Sequence, residues 1–125
     1  MSKILIVEDD PALAGGLEAN LEHCGYEIEC VSSGTEAIKI AKRIKIDLVL
    51  LDINLPDING FEVCQKIKSA SNIPILFLTA RDLEVDEVRG FAVGADDYIK
   101  KPFSVSVLQC RMATILERYG KRSKR

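Results

Sequence analysis

The stretch that decides the fold is Leu48-Val49-Leu50-Leu51-Asp52, four consecutive apolar residues that end on an aspartate. Two similar apolar runs occupy residues 4–7 and 75–78. Continuous apolar runs of this kind are typical of strands buried on both faces of a parallel sheet. Residues 26–31, which alternate like an edge strand, and residues 97–99 are weaker strand candidates. We therefore predict five strands.

Amphipathic helical patterns separate these strands. Asp10 followed by Pro11 is typical of a helix start, and the segment from Ser33 to Glu36 has the spacing of a capping box. Three further helices are predicted at residues 61–67, 85–93 and 105–116. The order βαβαβαβαβα predicts an α/β fold, a doubly wound five-stranded parallel sheet with helices on both faces.

The chain has 125 residues, 47% hydrophobic and 29% charged, which is typical of one globular domain. No apolar run approaches the roughly 20 residues that a membrane span needs. The apolar stretch after the first residues is too short for a signal peptide. We therefore expect a cytoplasmic protein without membrane contact.

The net charge of −2 is unevenly distributed, because four of the last five residues are basic. Without them, 13 basic residues stand against 19 acidic ones, a balance unsuited to binding nucleic acid. We expect one domain over residues 1–119 and a basic tail over residues 120–125, the start of a linker to an absent output domain.

The cysteine pattern argues against a zinc site or a disulfide framework, because no CxxC is present and His23 is the only histidine. We expect the four cysteines to be small buried hydrophobic residues. They are Cys24, Cys30, Cys64 and Cys110.

Polar residues follow the predicted strands. Glu8 and Asp9 come after the first strand, Asp52 ends the third, Thr79 follows the fourth and Lys101 the fifth. In such sheets ligands bind beyond the carboxyl ends of the strands, so we expect these side chains to converge.

Three carboxylates in one place repel one another unless a cation neutralises them, and oxygen-ligated Mg²⁺ (or Mn²⁺) suits that role. The ammonium of Lys101 and the hydroxyl of Thr79 would then stabilise a phosphoryl group on Asp52.

In four segments the chain resembles the receiver domain of bacterial two-component response regulators, which have a flavodoxin-like (βα)5 fold. The segments are residues 4–10, 48–60, 78–81 and 94–103. Within the last, Gly94-Ala-Asp-Asp-Tyr98 and Lys101-Pro-Phe103 further resemble the OmpR/PhoB subfamily of transcription regulators.

The resemblance implies a role for each site residue. Asp52 would accept a phosphoryl group from a phosphohistidine on a sensor histidine kinase. Mg²⁺ would be held by Glu8, Asp9, Asp52 and the backbone carbonyl of Asn54. Thr79 and Lys101 would contact the phosphoryl oxygens. The domain would act as a signalling switch rather than an enzyme, assisting only its own phosphorylation and slow dephosphorylation.

Neighbouring positions take supporting roles by the same resemblance. Tyr98 would switch between outward and inward rotamers as Thr79 moves. Ala80 would leave room for the donor histidine, Pro56 and Gly60 would shape the loop after Asp52, and the bond preceding Pro102 would be cis.

The subfamily dimerises through its fourth helix, fifth strand and fifth helix. Asp96, Asp97 and Arg111 match that face, whereas Glu87 and Val107 break one expected ion pair. The resemblance implies a homodimer favoured by phosphorylation, and contact with DNA only through the absent output domain.

Three other functions fit parts of the pattern. A phosphatase of the haloacid-dehalogenase kind needs a second acid two residues after its nucleophile, where this chain has Asn54. A flavodoxin-like FMN module would place phosphate beside Glu8, Asp9 and Asp10, which would repel it. A pseudo-receiver, used only for interaction, ranks lower because every expected catalytic position is filled.

Overall fold

The structure, a computed structural model, describes residues 1–123, and the side-chain environments below concern residues 1–120. Lys124 and Arg125, the last two basic residues of the predicted tail, lie outside the described residues. Strands and helices alternate strictly. In chain order they are β1 Lys3–Val7, α1 Pro11–His23, β2 Glu27–Val31, α2 Gly34–Arg43, β3 Leu48–Leu51, α3 Gly60–Ala70, β4 Ile75–Thr79, α4 Glu84–Ala92, β5 Asp97–Lys100 and α5 Val105–Ser123.

The five strands form one parallel sheet in the order β2-β1-β3-β4-β5, which confirms the predicted fold class. The three strongest apolar runs are the three central strands, and the two weaker candidates are the edges. Every residue of β3 and β4 is buried. Central parallel strands are covered on both faces, so they carry no polar alternation.

Two apolar layers cover the sheet. Leu5 and Val7 of β1 point into the layer that packs against α2 and α3, and their neighbours Ile4 and Ile6 point into the layer formed by α1 and α5. This alternation follows from the two-residue period of a strand. It confirms that the sheet carries helices on both faces.

The helix starts follow the sequence signals. The Asp10 carboxylate accepts hydrogen bonds from the amides of Ala12 and Leu13, and the Ser33 hydroxyl accepts one from the Glu36 amide at 3.2 Å. The Glu36 carboxylate accepts a bond from the Ser33 hydroxyl instead of from the backbone amide that a capping box would use. At the other end of the chain, α5 continues through Ser123, beyond the predicted helix end and into the predicted tail.

The expectation that all four cysteines are buried is wrong for three of them. Cys64 is buried on α3, whereas Cys24, Cys30 and Cys110 are exposed. Cys24 caps the end of α1, Cys30 lies on the edge strand β2, and Cys110 lies on the outer side of α5. Edge strands and outer helix faces are only half covered, so a small apolar residue there remains in contact with solvent.

Within residues 1–123, none of the helices is both long and apolar enough to span a membrane.

Candidate functional site

The candidate site lies at the carboxyl edge of the sheet, where the strand order reverses between β1 and β3. Asp52 directly follows the central strand, and its amide donates to the Val7 carbonyl at 3.1 Å. The Lys101 amide donates to the Thr79 carbonyl at 2.8 Å, which fixes the start of the β5–α5 loop. Open parallel sheets form their binding crevices at such a reversal.

Three carboxylates meet at this edge, as the sequence predicts. Oxygens of Glu8, Asp9 and Asp52 all lie within 4.8 Å of one another. Glu8 and Asp52 are 6% and 7% exposed, whereas Asp9 is exposed. Asp9 therefore stands at the solvent side of a pocket whose other two acids are buried.

One ammonium group joins the two buried acids. Lys101 Nζ donates to Glu8 Oε1 at 2.6 Å and to Asp52 Oδ2 at 3.2 Å. Burial raises the pKa of the Glu8 carboxyl, and the hydrogen bond from Lys101 opposes that rise. Burial alone would lower the pKa of Lys101, but the hydrogen bond to Glu8 and the charge of Asp52 raise it overall. Lys101 therefore remains charged at neutral pH.

This cluster fits a divalent cation by the chemistry of its donors. Carboxylate oxygens are the ligands that Mg²⁺ and Mn²⁺ prefer, and one ammonium cannot balance three carboxylates. Glu8 Oε2 accepts a hydrogen bond from the Asp10 amide and Asp52 Oδ1 accepts one from the Asn54 amide. These bonds hold both buried carboxylates in place within the pocket.

The loop after Asp52 packs closely against it. A Cβ on Gly60 would lie 2.3 Å from the Asp52 carbonyl oxygen, so only glycine fits there. The Gly60 amide donates to the Ile53 carbonyl at 2.8 Å, and Pro56 lies exposed in the middle of the loop. Gly60 thus shapes this loop by close approach.

Thr79 and Tyr98 are connected through a single residue. The Thr79 hydroxyl accepts a hydrogen bond from the Arg81 amide at 3.3 Å, and the Tyr98 hydroxyl donates to the Arg81 carbonyl at 2.9 Å. Thr79 is fully buried and Tyr98 is 6% exposed, so the ring points inward. Ala80, between Thr79 and Arg81, is exposed at the edge of the site, and the Lys101–Pro102 bond is cis, as predicted.

Two residues here were missed by sequence reasoning. Arg81 Nε donates to the Asn54 side-chain oxygen at 3.0 Å, and its guanidinium pairs with Asp86 at 3.3 Å, so it bridges two loops and α4. Gly90 lets α4 approach the Tyr98 ring, because a Cβ there would lie 3.0 Å from it. An arginine after a strand and a glycine within a helix carry no sequence signal that distinguishes these roles.

The charged residues of the predicted dimer face have partners within the chain. Arg111 Nη1 donates to both carboxylate oxygens of Asp97 within the chain, at 2.9 and 3.1 Å. Asp96 accepts from Tyr119 and Lys68 and from the Ile75 amide, so both of its oxygens are also used within the chain.

Glu87, which is expected to break one ion pair of that face, pairs with Lys100 within the chain at 3.4 Å. Large apolar side chains are exposed nearby on α4, at the residue that precedes it, and on α5. They are Leu83, Val85, Val88, Phe91 and Val107.

The sequence pattern of the family described as "Response regulator receiver domain" matches residues 4–113. The "Uncharacterized transcriptional regulatory protein YrkP" of Bacillus subtilis is 44% identical over 94% of this chain and 50% of its own length. The "Transcriptional regulatory protein AfsQ1" of Streptomyces coelicolor is 40% identical over 94% of this chain and 52% of its own. The chain thus spans about half the length of these curated relatives.

Solved structures with the same fold include a CheY-like response regulator receiver domain protein from Methanospirillum hungatei, with 29% identity and a TM-score of 0.94 over 98% of both chains. The BeF3-activated N-terminal receiver domain of RstA from Klebsiella pneumoniae is 34% identical, with a TM-score of 0.89 over 92% of this chain and 98% of that one.

Proposed function

Because the chain belongs to the response regulator receiver domain family, we propose that it is a switch operated by phosphorylation of Asp52. The observation that carries the proposal is a buried carboxylate at the end of the central strand, held by an ammonium group and beside two further acids. A purely structural aspartate would not need this costly arrangement of like charges. The donor would be a phosphohistidine on a sensor histidine kinase.

The transfer is a displacement at phosphorus. An oxygen of Asp52 forms the new O–P bond while the N–P bond of the phosphohistidine breaks, and the imidazole keeps the electron pair of that bond. The Lys101 ammonium, which is hydrogen-bonded to Asp52, would move to one phosphoryl oxygen. The Thr79 hydroxyl would donate a hydrogen bond to a second phosphoryl oxygen. Ala80 leaves the edge of the site open for the imidazole to approach.

A divalent cation held by Glu8, Asp9, Asp52 and the Asn54 carbonyl would supply positive charge for the carboxylates and the phosphoryl oxygens. The chain itself positions the acceptor. The Asn54 amide and the Lys101 ammonium each hold one oxygen of Asp52. That leaves the carboxylate few orientations, which lowers the entropic part of the barrier.

The change would spread from Thr79 through Arg81. If the Thr79 hydroxyl donated a hydrogen bond to a phosphoryl group, Thr79 would move away from the Arg81 amide. The Arg81 carbonyl accepts a hydrogen bond from the Tyr98 hydroxyl, so the change would reach Tyr98. Tyr98 packs against Phe77 and beneath Gly90 of α4, so its inward position and that of α4 depend on each other. The outer surface of α4, β5 and α5 would change with them.

We propose that this surface forms a symmetric homodimer when Asp52 is phosphorylated, as in the OmpR/PhoB subfamily. The support is an exposed apolar patch on α4 and α5 beside the Asp97–Arg111 pair. The same patch on both copies gives the self-complementary contact that two-fold symmetry requires. The pairs Asp97–Arg111 could then form between protomers.

The relatives are transcriptional regulatory proteins about twice as long as this chain, which supports a DNA-binding output domain in the whole protein. DNA contact through that domain, and action in the cytoplasm, are parts of the proposal. Because the body of this chain is acidic, the chain itself is poorly suited to bind DNA.

Incubation with acetyl phosphate and Mg²⁺, followed by intact mass measurement, tests the proposed function. We expect the wild type to gain one phosphoryl group, and Asp52→Asn to gain none. Asp82→Asn, which changes an exposed aspartate in the β4–α4 loop, is the matched control and should behave as wild type. Unchanged uptake by Asp52→Asn would refute the assignment.

A further inference from the structure

The loop between β3 and α3 is fastened to a neighbouring helix by Asp57. Its carboxylate accepts hydrogen bonds from the amides of Gly34 and Thr35, at 2.9 and 2.8 Å, and from the Thr35 hydroxyl. Those two amides are among the free N–H groups at the start of α2, and the Ser33 hydroxyl accepts the bond from the next one, that of Glu36. The start of α2 is therefore capped partly by the adjacent residue Ser33 and partly by a loop 22 residues away.

A second contact fixes the same two segments. A Cβ on Gly34 would lie 2.6 Å from Ile58 and 2.6 Å from Val63. The loop thus packs against α2 at a distance that only glycine permits. Asp57 by hydrogen bonds and Ile58 by packing hold the same turn of α2; we call this pair of contacts the Asp57 clasp.

The clasped loop carries functional groups of the proposed site. Asp52 begins the loop, and the Asn54 amide donates to Asp52 Oδ1 at 3.3 Å. The ends of the loop are fixed by the Asp52 amide on Val7 and by the Gly60 amide on Ile53. The segment between them, residues 54–59, includes the residue whose backbone carbonyl is proposed to bind the cation.

We infer that Asp57 is a positioning residue for the divalent cation, holding the β3–α3 loop so that the Asn54 backbone stays in place beside the Asp52 carboxylate. The inference rests on the proposed cation site. Removing a contact that orients a metal ligand typically lowers metal affinity 10- to 100-fold, because the ligand must then become ordered when the metal binds. Asp57 lies in an exposed part of the loop and is not itself a ligand.

The test compares Mg²⁺ affinity in two variants that damage the same helix start. Asp57→Ala removes the clasp, and Ser33→Ala removes the cap on Glu36 without touching the loop. Both should lower the denaturant midpoint. We expect Asp57→Ala to weaken Mg²⁺ binding on the order of tenfold by titration calorimetry of the full chain, and Ser33→Ala to leave it unchanged.

Equal Mg²⁺ affinity in Asp57→Ala and Ser33→Ala would mean that Asp57 only caps α2, and would overturn the inference. Asp9→Ala separates this outcome from failure of the cation site, because unchanged affinity in Asp9→Ala would refute the site itself. If Asp57→Ala does not fold, Asp57→Asn takes its place, since it keeps the size of the side chain but removes its charge and one of the two oxygens that accept the amide bonds. Weaker Mg²⁺ binding by Asp57→Asn supports the clasp, and wild-type binding overturns it.

Discussion

Lys101 Nζ lies 2.6 Å from Glu8 Oε1, although the two residues are 93 positions apart in the chain. The same ammonium reaches Asp52 at 3.2 Å, so the residue that follows β5 supplies positive charge to the acids that follow β1 and β3. The pair is nearly shielded from water, with side-chain exposures of 18% for Lys101 and 5% for Glu8. The proposed switch depends on this relationship.

Replacing Lys101 with alanine should destabilise the fold and strengthen its response to Mg²⁺. The loss should be about 3 kcal/mol, the lower end for a broken buried ion pair, because Lys101 keeps some contact with water. With the ammonium gone, a divalent cation is the remaining source of positive charge for the acids. The Mg²⁺-dependent rise in melting temperature should therefore be larger than in wild type.

The matched control for this experiment is Lys100→Ala, which removes a more exposed lysine paired with Glu87 at the surface. It should cost less than about 1 kcal/mol and leave the Mg²⁺ response unchanged. A smaller Mg²⁺ response in Lys101→Ala than in wild type would count against the electrostatic account of the pocket.

Tyr98 should titrate far above an ordinary phenol. Burial, and then the charges of Asp86 and Glu87, raise the pKa of Tyr98 to about 12. Its pKa in the unfolded chain is about 10, so its contribution to stability is complete below pH 10 and is lost as the pH rises through about 12. The phenolate absorbance of wild type minus that of Tyr98→Phe should follow this high pKa. A midpoint near 10 would place the ring outside the core.

Much of the site could be predicted because parallel sheets bind ligands beyond the carboxyl ends of their strands. Glu8 and Asp52 follow strands with continuous apolar runs, and Lys101 follows the weaker strand candidate at residues 97–99. Parallel strands bring their carboxyl ends to one edge. The central strands were predictable because burial on both faces leaves a simple pattern. Asp10 was predictable as a cap because its contacts are local.

The rest depends on contacts between distant segments. The hydrogen bonds of the Asp57 clasp join residues 22 or 23 positions apart, and Arg81 reaches Asn54 across 27 positions. No local pattern encodes such pairs. The three exposed cysteines were wrongly predicted for a related reason, since exposure at an edge strand or outer helix face is set by what the rest of the chain covers.

Dimerisation should follow phosphorylation and require Arg111. With beryllofluoride as the phosphoryl mimic, sedimentation should show a shift from monomer to dimer that Arg111→Ala weakens. The shift should be modest, because Glu87 is paired with Lys100 and Val107 offers no charge to a partner copy. Lys42→Ala, on the exposed side of α2, should dimerise as wild type. A wild-type protein that binds beryllofluoride and stays monomeric would remove this surface as the dimer contact.

The central claim is that Asp52, among all the acids at this edge of the sheet, carries the phosphoryl group. Borohydride reduces an acyl phosphate to the alcohol but leaves free carboxylates unchanged, so it converts a phosphorylated aspartate to homoserine. After reaction with acetyl phosphate and Mg²⁺, peptide mass mapping should find homoserine at position 52 and unchanged side chains at Glu8 and Asp9. Reduction at Glu8 or Asp9, with position 52 still aspartate, would contradict the account.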